Sequence, residues 1–288
     1  HRDLHSFPTR RSSDLVTQVT MGRFDEGLHW ARLSLQRHPQ GYGAYSHVLA
    51  TVSSMGDRES TLRWLKEFES RFAGNPRARI ARVFLALEDG KTAEALEESR
   101  QIAALPRSGM EGVATLADVS LIAGANDAEE WNRKLYGDEL DQSMLNWVAL
   151  PESPRVRYAL LAGKRGAKAE AEKLLAEAEK SALGRIGRGV DSPFPAVELA
   201  AVHALRNDAD GAMKWLQTAF DRGWRHAQSS RVDPMLANVR KDARFEALMK
   251  RIDDELALMR QHTPEIRALF EETLPALPRP AAFAKKKG

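Results

Sequence analysis

The 288-residue chain carries 43 basic and 40 acidic residues, 43% hydrophobic residues and no cysteine. Zero Cys excludes disulfides and thiolate metal sites, and no stretch approaches the roughly 18 consecutive apolar residues of a membrane-crossing helix. The net charge of +3 is local: without residues 1–15 it is +2, and without Lys285, Lys286 and Lys287 as well it is −1, so the basic balance implies no nucleic-acid surface.

The chain opens on HRDL (His1–Leu4), the first letters of the protein-kinase catalytic loop. That motif needs an Asn where Pro8 stands, and no D-F-G follows. Reverse-translated, His1–Leu15 instead resembles a short-read sequencing adapter read in one frame. This stretch is therefore set aside as a non-native scar, expected to be extended or irregular and to contribute nothing to the fold. Val16–Met21 reads as the last turns of a first helix. With that helix cut short, Phe24, Leu28 and Leu35 are expected to be more exposed than their counterparts one repeat later.

From Val16 the pattern is helical almost throughout, with apolar residues three and four apart and no strand alternation. Loops are predicted at 38–43, 73–76, 105–109, 150–154 and 184–195. Gly22, Gly56, Gly90 and Gly124 recur every 34 residues; Leu28, Leu62 and Leu96 keep the same period, as do Trp30 and Trp64. Trp215 takes the same place in a later helix, and packing between repeats is the expected role of these indoles. A 34-residue unit of two helices resembles the tetratricopeptide repeat (TPR).

This resemblance implies an all-α fold: a TPR-like α-solenoid of stacked antiparallel helix pairs. It implies a glycine ending each first helix, and small residues in each second helix at Gly27, Thr61, Ala95, Ala171 and Ala212. Tyr45, Val48, Leu49 and Val52 form the apolar stripe of the second repeat's first helix. TPR-like repeats are expected over 16–150, looser ones with capping helices over 151–274, and a Pro/Lys-rich tail over 275–288. The register slips after Gly124, to Gly166 and then Asn207, which leaves 137–156 open between a repeat and an insertion.

Chemistry is sparse. The glycines of GRIGRG (184–189) lack both the P-loop Lys and a preceding strand, so a basic linker is expected there. His29, His38, His47, His203, His226 and His262 form no metal-ligand spacing, and no catalytic, cofactor or metal site is assigned. The segment 232–260, with helix starts at Asp233-Pro234 and Asp242, resembles the closing segment of TPR regions in bacterial adenylate cyclases, winged-helix regulators and serine/threonine kinases. Ala243 departs from the Pro usual there.

The expected function is a non-catalytic module holding a protein or peptide in a concave groove lined by first helices, where Ser46, Ala50 and Ser53 offer a small, mildly polar surface. Ser46 and Ala50 stand where chaperone-tail clamps of the family carry Lys and Asn, which disfavours that ligand. The parent is expected to be a cytoplasmic bacterial regulator with its output domain upstream. A free-standing scaffold, cytoplasmic or periplasmic and membrane-tethered, stays open, as does an accessory part of an enzyme such as a kinase, cyclase or glycosyltransferase.

Overall fold

The computed structural model describes residues 18–105, 108–140, 150–268 and 271. The expectations for 1–15 and 275–288, and for the middle of 137–156, lie outside these residues.

Among the described residues the elements are helices joined by short turns. A helical turn at 18–20 precedes α1 (Phe24–Arg37). Five first-and-second-helix pairs follow: α2 (Tyr42–Ser54) with α3 (Arg58–Arg71), α4 (Pro76–Glu88) with α5 (Thr92–Ala103), and α6 (Gly109–Ala123) with α7 (Ala128–Tyr136). Then come α8 (Pro154–Lys164) with α9 (Lys168–Gly187), and α10 (Phe194–Leu205) with α11 (Ala209–Asp221). The closing segment holds α12 (Ala227–Val232), a 3-10 turn (Pro234–Leu236), α13 (Ala243–His262) and α14 (Pro264–Ala268).

One device makes every first-to-second turn. Gly22, Gly56, Gly90 and Gly124 all take φ between 64° and 71°, a left-handed conformation that a side chain would strain. The chain then doubles back on itself: Lys91 N–H donates to the Ala86 carbonyl at 2.8 Å and Ala125 N–H to Ser120 at 2.9 Å, closing the Schellman ring that satisfies the last helix carbonyls. The device persists where the 34-residue spacing fails. Gly166 has φ 79°, and Asn207, with φ 62°, is the one non-glycine among the described residues with positive φ. Asn is the usual second choice for this cap, and here Asn238 Nδ2 donates to its Oδ1 at 2.8 Å.

The chain divides into two compact units: residues up to Ala81 together with those from Asp253 onward, and Arg82–Ile252. In the first unit Tyr45, Val48, Leu49 and Val52 are buried, as their stripe predicts. Gly27 lets α1 approach its neighbours, since a Cβ there would sit 2.7 Å from Val19 Cγ2. Ala95, Ala212 and Thr61 are buried in the same role, and Ala171 is half-buried.

Two expectations are corrected. Phe24, Leu28 and Leu35 are fully buried, whereas Leu62, the counterpart of Leu28, is 46% exposed. Around α1 pack α2, the helical turn at 18–20, whose Val19 lies against Gly27, and the C-terminal α14. The loop placed at 184–195 begins too early, because α9 runs through GRIG to Gly187. Arg185 continues the helix's packing by pairing with the buried Glu198 of α10, and Gly189, with φ 79°, ends it.

Candidate functional site

Ser46, Ala50 and Ser53 share one face of α2, as their spacing requires. Ser46 is buried rather than lining an open groove, and its Oγ accepts a hydrogen bond from Arg77 Nη1 at 3.1 Å. Ala50 and Ser53 are half-buried. The repeat-register residues also diverge: Trp64 is fully buried, Trp30 and Trp215 are half-buried, and Leu96 lies between Leu28 and Leu62 in exposure.

In the Arg82–Ile252 unit the first helices are buried on nearly all sides. Residues 114–121 of α6 and 195–202 of α10 have no exposed member. What covers α8 and α10 is the chain's own closing segment, whose 3-10 turn packs on both. Met235 and Leu236 are fully buried in that contact. Polar bonds fix the segment's backbone: Asp233 Oδ1 accepts from Met235 N–H at 2.8 Å, Arg240 donates to the Asp233 carbonyl, and Asn238 Nδ2 donates to the Ala204 carbonyl at 3.0 Å. Sequence reasoning found the Asp233-Pro234 turn and missed where it docks, because no local pattern encodes a contact with α8 some 80 residues away.

Beneath this segment lies a buried ionic cluster that the sequence did not announce. Arg157 of α8 is fully buried; its Nη1 bonds Asp118 Oδ1 of α6 at 2.5 Å, its Nε the Glu152 carbonyl at 3.0 Å and its Nη2 the Leu150 carbonyl at 2.6 Å. The second Asp118 oxygen accepts from Leu150 N–H at 3.1 Å. Burial opposes the guanidinium's charge, but the Asp118 carboxylate outweighs it and holds the pKa above the usual range. Tyr136 and Glu152 add to the effect of Asp118 at Arg157, and burial pushes the Tyr136 hydroxyl up to about 12.

Glu152 beside it is different. Neither of its carboxyl oxygens has a donor at bonding geometry, and burial next to the Asp233 carboxyl raises its pKa well above 4.5. Burial raises the Asp233 pKa too, but the Met235 N–H, Arg157 and Arg240 favour its charged form. Glu152 is therefore the protonated member of the pair. Above pH 4.5 the unfolded chain releases this proton while the folded unit keeps it, so the group costs stability as pH rises, by at most about 1.4 kcal/mol per pH unit, until the folded pKa is passed. Gln at 152 mimics the protonated form. Glu152→Gln should raise Tm near pH 7, with a gain that shrinks toward pH 4.5. Burial holds His226 down at about 4, which removes stability as pH falls below 6.5 in both proteins alike, so comparison at each pH isolates the Glu152–Asp233 pair. A gain independent of pH, or a loss at pH 7, would refute the assignment.

A surface cleft of about 510 Å³ is lined by Arg155 of α8 and by Glu177, Lys180, Ser181, Gly184 and Arg188 along and just past α9. Among the described residues no cluster of His, Cys, Asp and Glu has metal-holding geometry, and no helix is long and apolar enough to cross a membrane.

No family model and no curated protein matches the sequence. Among the solved structures that resemble the fold are two repeat proteins or assemblies. The APC/C hetero-tetramer Cut9-Hcn1 aligns with TM-score 0.50 at 14% identity, over 91% of this chain and 49% of that one. A tetratricopeptide repeat protein from Parabacteroides merdae aligns with TM-score 0.43 at 13% identity, over 90% of this chain and 98% of that one. At such identities the likeness concerns the fold alone. The glycine-closed helix pairs, together with the likeness at TM-score 0.50, make the chain a TPR-like, all-α helical-repeat protein.

Proposed function

We propose that the chain is a non-catalytic protein–protein interaction module that takes partner polypeptide segments against its helix pairs. The observation that supports this is the docking of its own segment: Asp233–Val239 lies on first helices, with three apolar side chains buried, its turn closed by Arg240 on the Asp233 carbonyl and Asn238 tethering it to the Ala204 carbonyl of α10. A partner that uses this face in the Arg82–Ile252 unit must displace that segment. We further place the chain as the C-terminal part of a cytoplasmic bacterial regulator, on the resemblance of residues 232–260 to such proteins; a full-length gene with no output domain upstream would sink that half of the reading.

Panning a displayed peptide library against the purified chain tests the module. Selected peptides should bind with Kd in the range of about 1–100 µM, as groove-bound segments do, and should slow amide exchange in identifiable helices. Failure to select any peptide better than about 1 mM would overturn the proposal.

A further inference from the structure

We infer that the α9 cleft is a docking site for an acidic segment of a partner protein. The inference deepens the interaction-module reading and rests on it, but places the contact on a second helix rather than on the first-helix groove.

The site arises from helix length. The second helix α7 stops after nine residues, while α9 continues for 20. Arg165, just past the end of α8, pairs with both Glu129 at the start of α7 and Glu170 at the start of α9, so the two second helices begin at the same level. At 1.5 Å per residue α9 then runs on about 16 Å past the end of α7. Glu177, Lys180, Ser181, Gly184 and Arg188 fall on one flank of that overhang, at helical spacing.

Charge decides what fits. Lys180 and Arg188 face the cleft beside Arg155, which is already engaged, Glu177 lying 3.5 Å from its Nε. Arg155 also donates to the Leu140 carbonyl at 3.1 Å. Lys180 and Arg188 are exposed and have no ion-pair partner among the described residues, whereas Glu172 and Glu179 on the opposite flank are held by Arg206. Arg188 lies close over the helix at Gly184, where a Cβ would sit 3.4 Å from its Nη1. Leu183 and Val190, 45% and 38% exposed, stand at the same helix end outside the lining.

An anion is thus complementary to the cleft, and its size selects among anions. About 510 Å³ admits a few side chains of an extended segment, and falls within the range of about 300–1,000 Å³ typical of ligand pockets. A nucleic acid would need a basic face continuing along its backbone, and the chain outside residues 1–15 and 285–288 is nearly neutral. Exposed apolar side chains beside the cations suit a segment of mixed acidic and apolar residues.

The test uses the full chain and three labelled probes in fluorescence anisotropy: a peptide of alternating Glu and Leu, its Gln/Leu counterpart, and single-stranded poly-dT. The Glu/Leu peptide should bind, weaken with salt, and lose about tenfold in affinity in the Lys180→Glu/Arg188→Glu protein, as expected for two exposed charge contacts. Lys164→Glu, an exposed cation outside the cleft, should leave affinity unchanged. Equal losses in both variants, tighter cleft-dependent binding of poly-dT, equal binding of the Gln/Leu peptide, or no binding of the Glu/Leu peptide would each overturn the inference. Library-selected peptides that bind the double variant unchanged would do so while leaving the interaction module intact.

Discussion

Arg157→Met is expected to destabilise the Arg82–Ile252 unit by about 3–5 kcal/mol, the usual cost of leaving one charge of a buried pair without its partner. The side chains of Arg157 and Asp118 are 0% and 1% exposed, so water cannot replace the lost guanidinium. Three bonds vanish together. The Asp118 carboxylate loses its cation, and the carbonyls of Leu150 and Glu152 lose their donor. The damage also spreads along the chain, because those carbonyls belong to the stretch leading into α8 while Asp118 belongs to α6, the first helix of the preceding pair.

Asp118→Asn in the same background should recover much of the loss. The neutral amide oxygen still accepts the Leu150 N–H, and no uncompensated charge remains buried. Urea unfolding of the two single variants and the double variant closes the cycle. If Arg157→Met cost under about 1 kcal/mol, the pair would behave as a surface ion pair and the account of this core would be wrong.

The sequence made the fold legible through its backbone chemistry. Glycines at positions 22, 56, 90 and 124 mark conformations that few other residues tolerate, so the period of the turns could be read directly, and Asn207 could be aligned to a sixth turn on the same grounds. Side-chain register was a poorer guide. Leu28 and Leu62 occupy equivalent places, yet one is fully buried and the other 46% exposed, because burial depends on what the rest of the chain lays over that helix. α14, which begins 240 residues after the start of α1, packs on it. The same limit hid the Asp118–Arg157 pair and the docking of Met235 and Leu236: each joins elements whose separation no local periodicity records. Arg188 stood in the stretch read as a basic linker, and Lys180 in the helix before it. That they border a cleft follows from the short α7, whose end is set by Gly137 rather than by the 34-residue rhythm.

Trp64→Ala should cost about 3–5 kcal/mol, the range for emptying a large aromatic site in a core, and the same change at Trp30 or Trp215 should cost markedly less. All three indoles hold one place in the repeat, but their surroundings differ. Trp64 is 0% exposed, stacks on Tyr45 at 5.4 Å between centroids, and donates its Nε1–H to the Tyr45 carbonyl at 2.8 Å. Tyr45 in turn meets Phe72 edge-on at 5.1 Å, and Phe72 meets Phe68 at 5.2 Å, so removing the indole opens a void at the end of a chain of ring contacts that cannot close without moving α2 against α3. Trp30 and Trp215 are half-buried; Trp215 covers one edge of the Ala196, Val197, Ala219 and Trp224 cluster, where water already reaches part of the ring and the residual cavity is shallow. Trp64→Phe separates the contributions further. It keeps most of the stacking area and loses the hydrogen bond, so its cost should fall to about 1–2 kcal/mol. Denaturant midpoints for the four variants give the ranking directly. Equal costs at positions 30, 64 and 215 would mean that repeat register, and not the burial set by neighbouring helices, determines what each indole contributes.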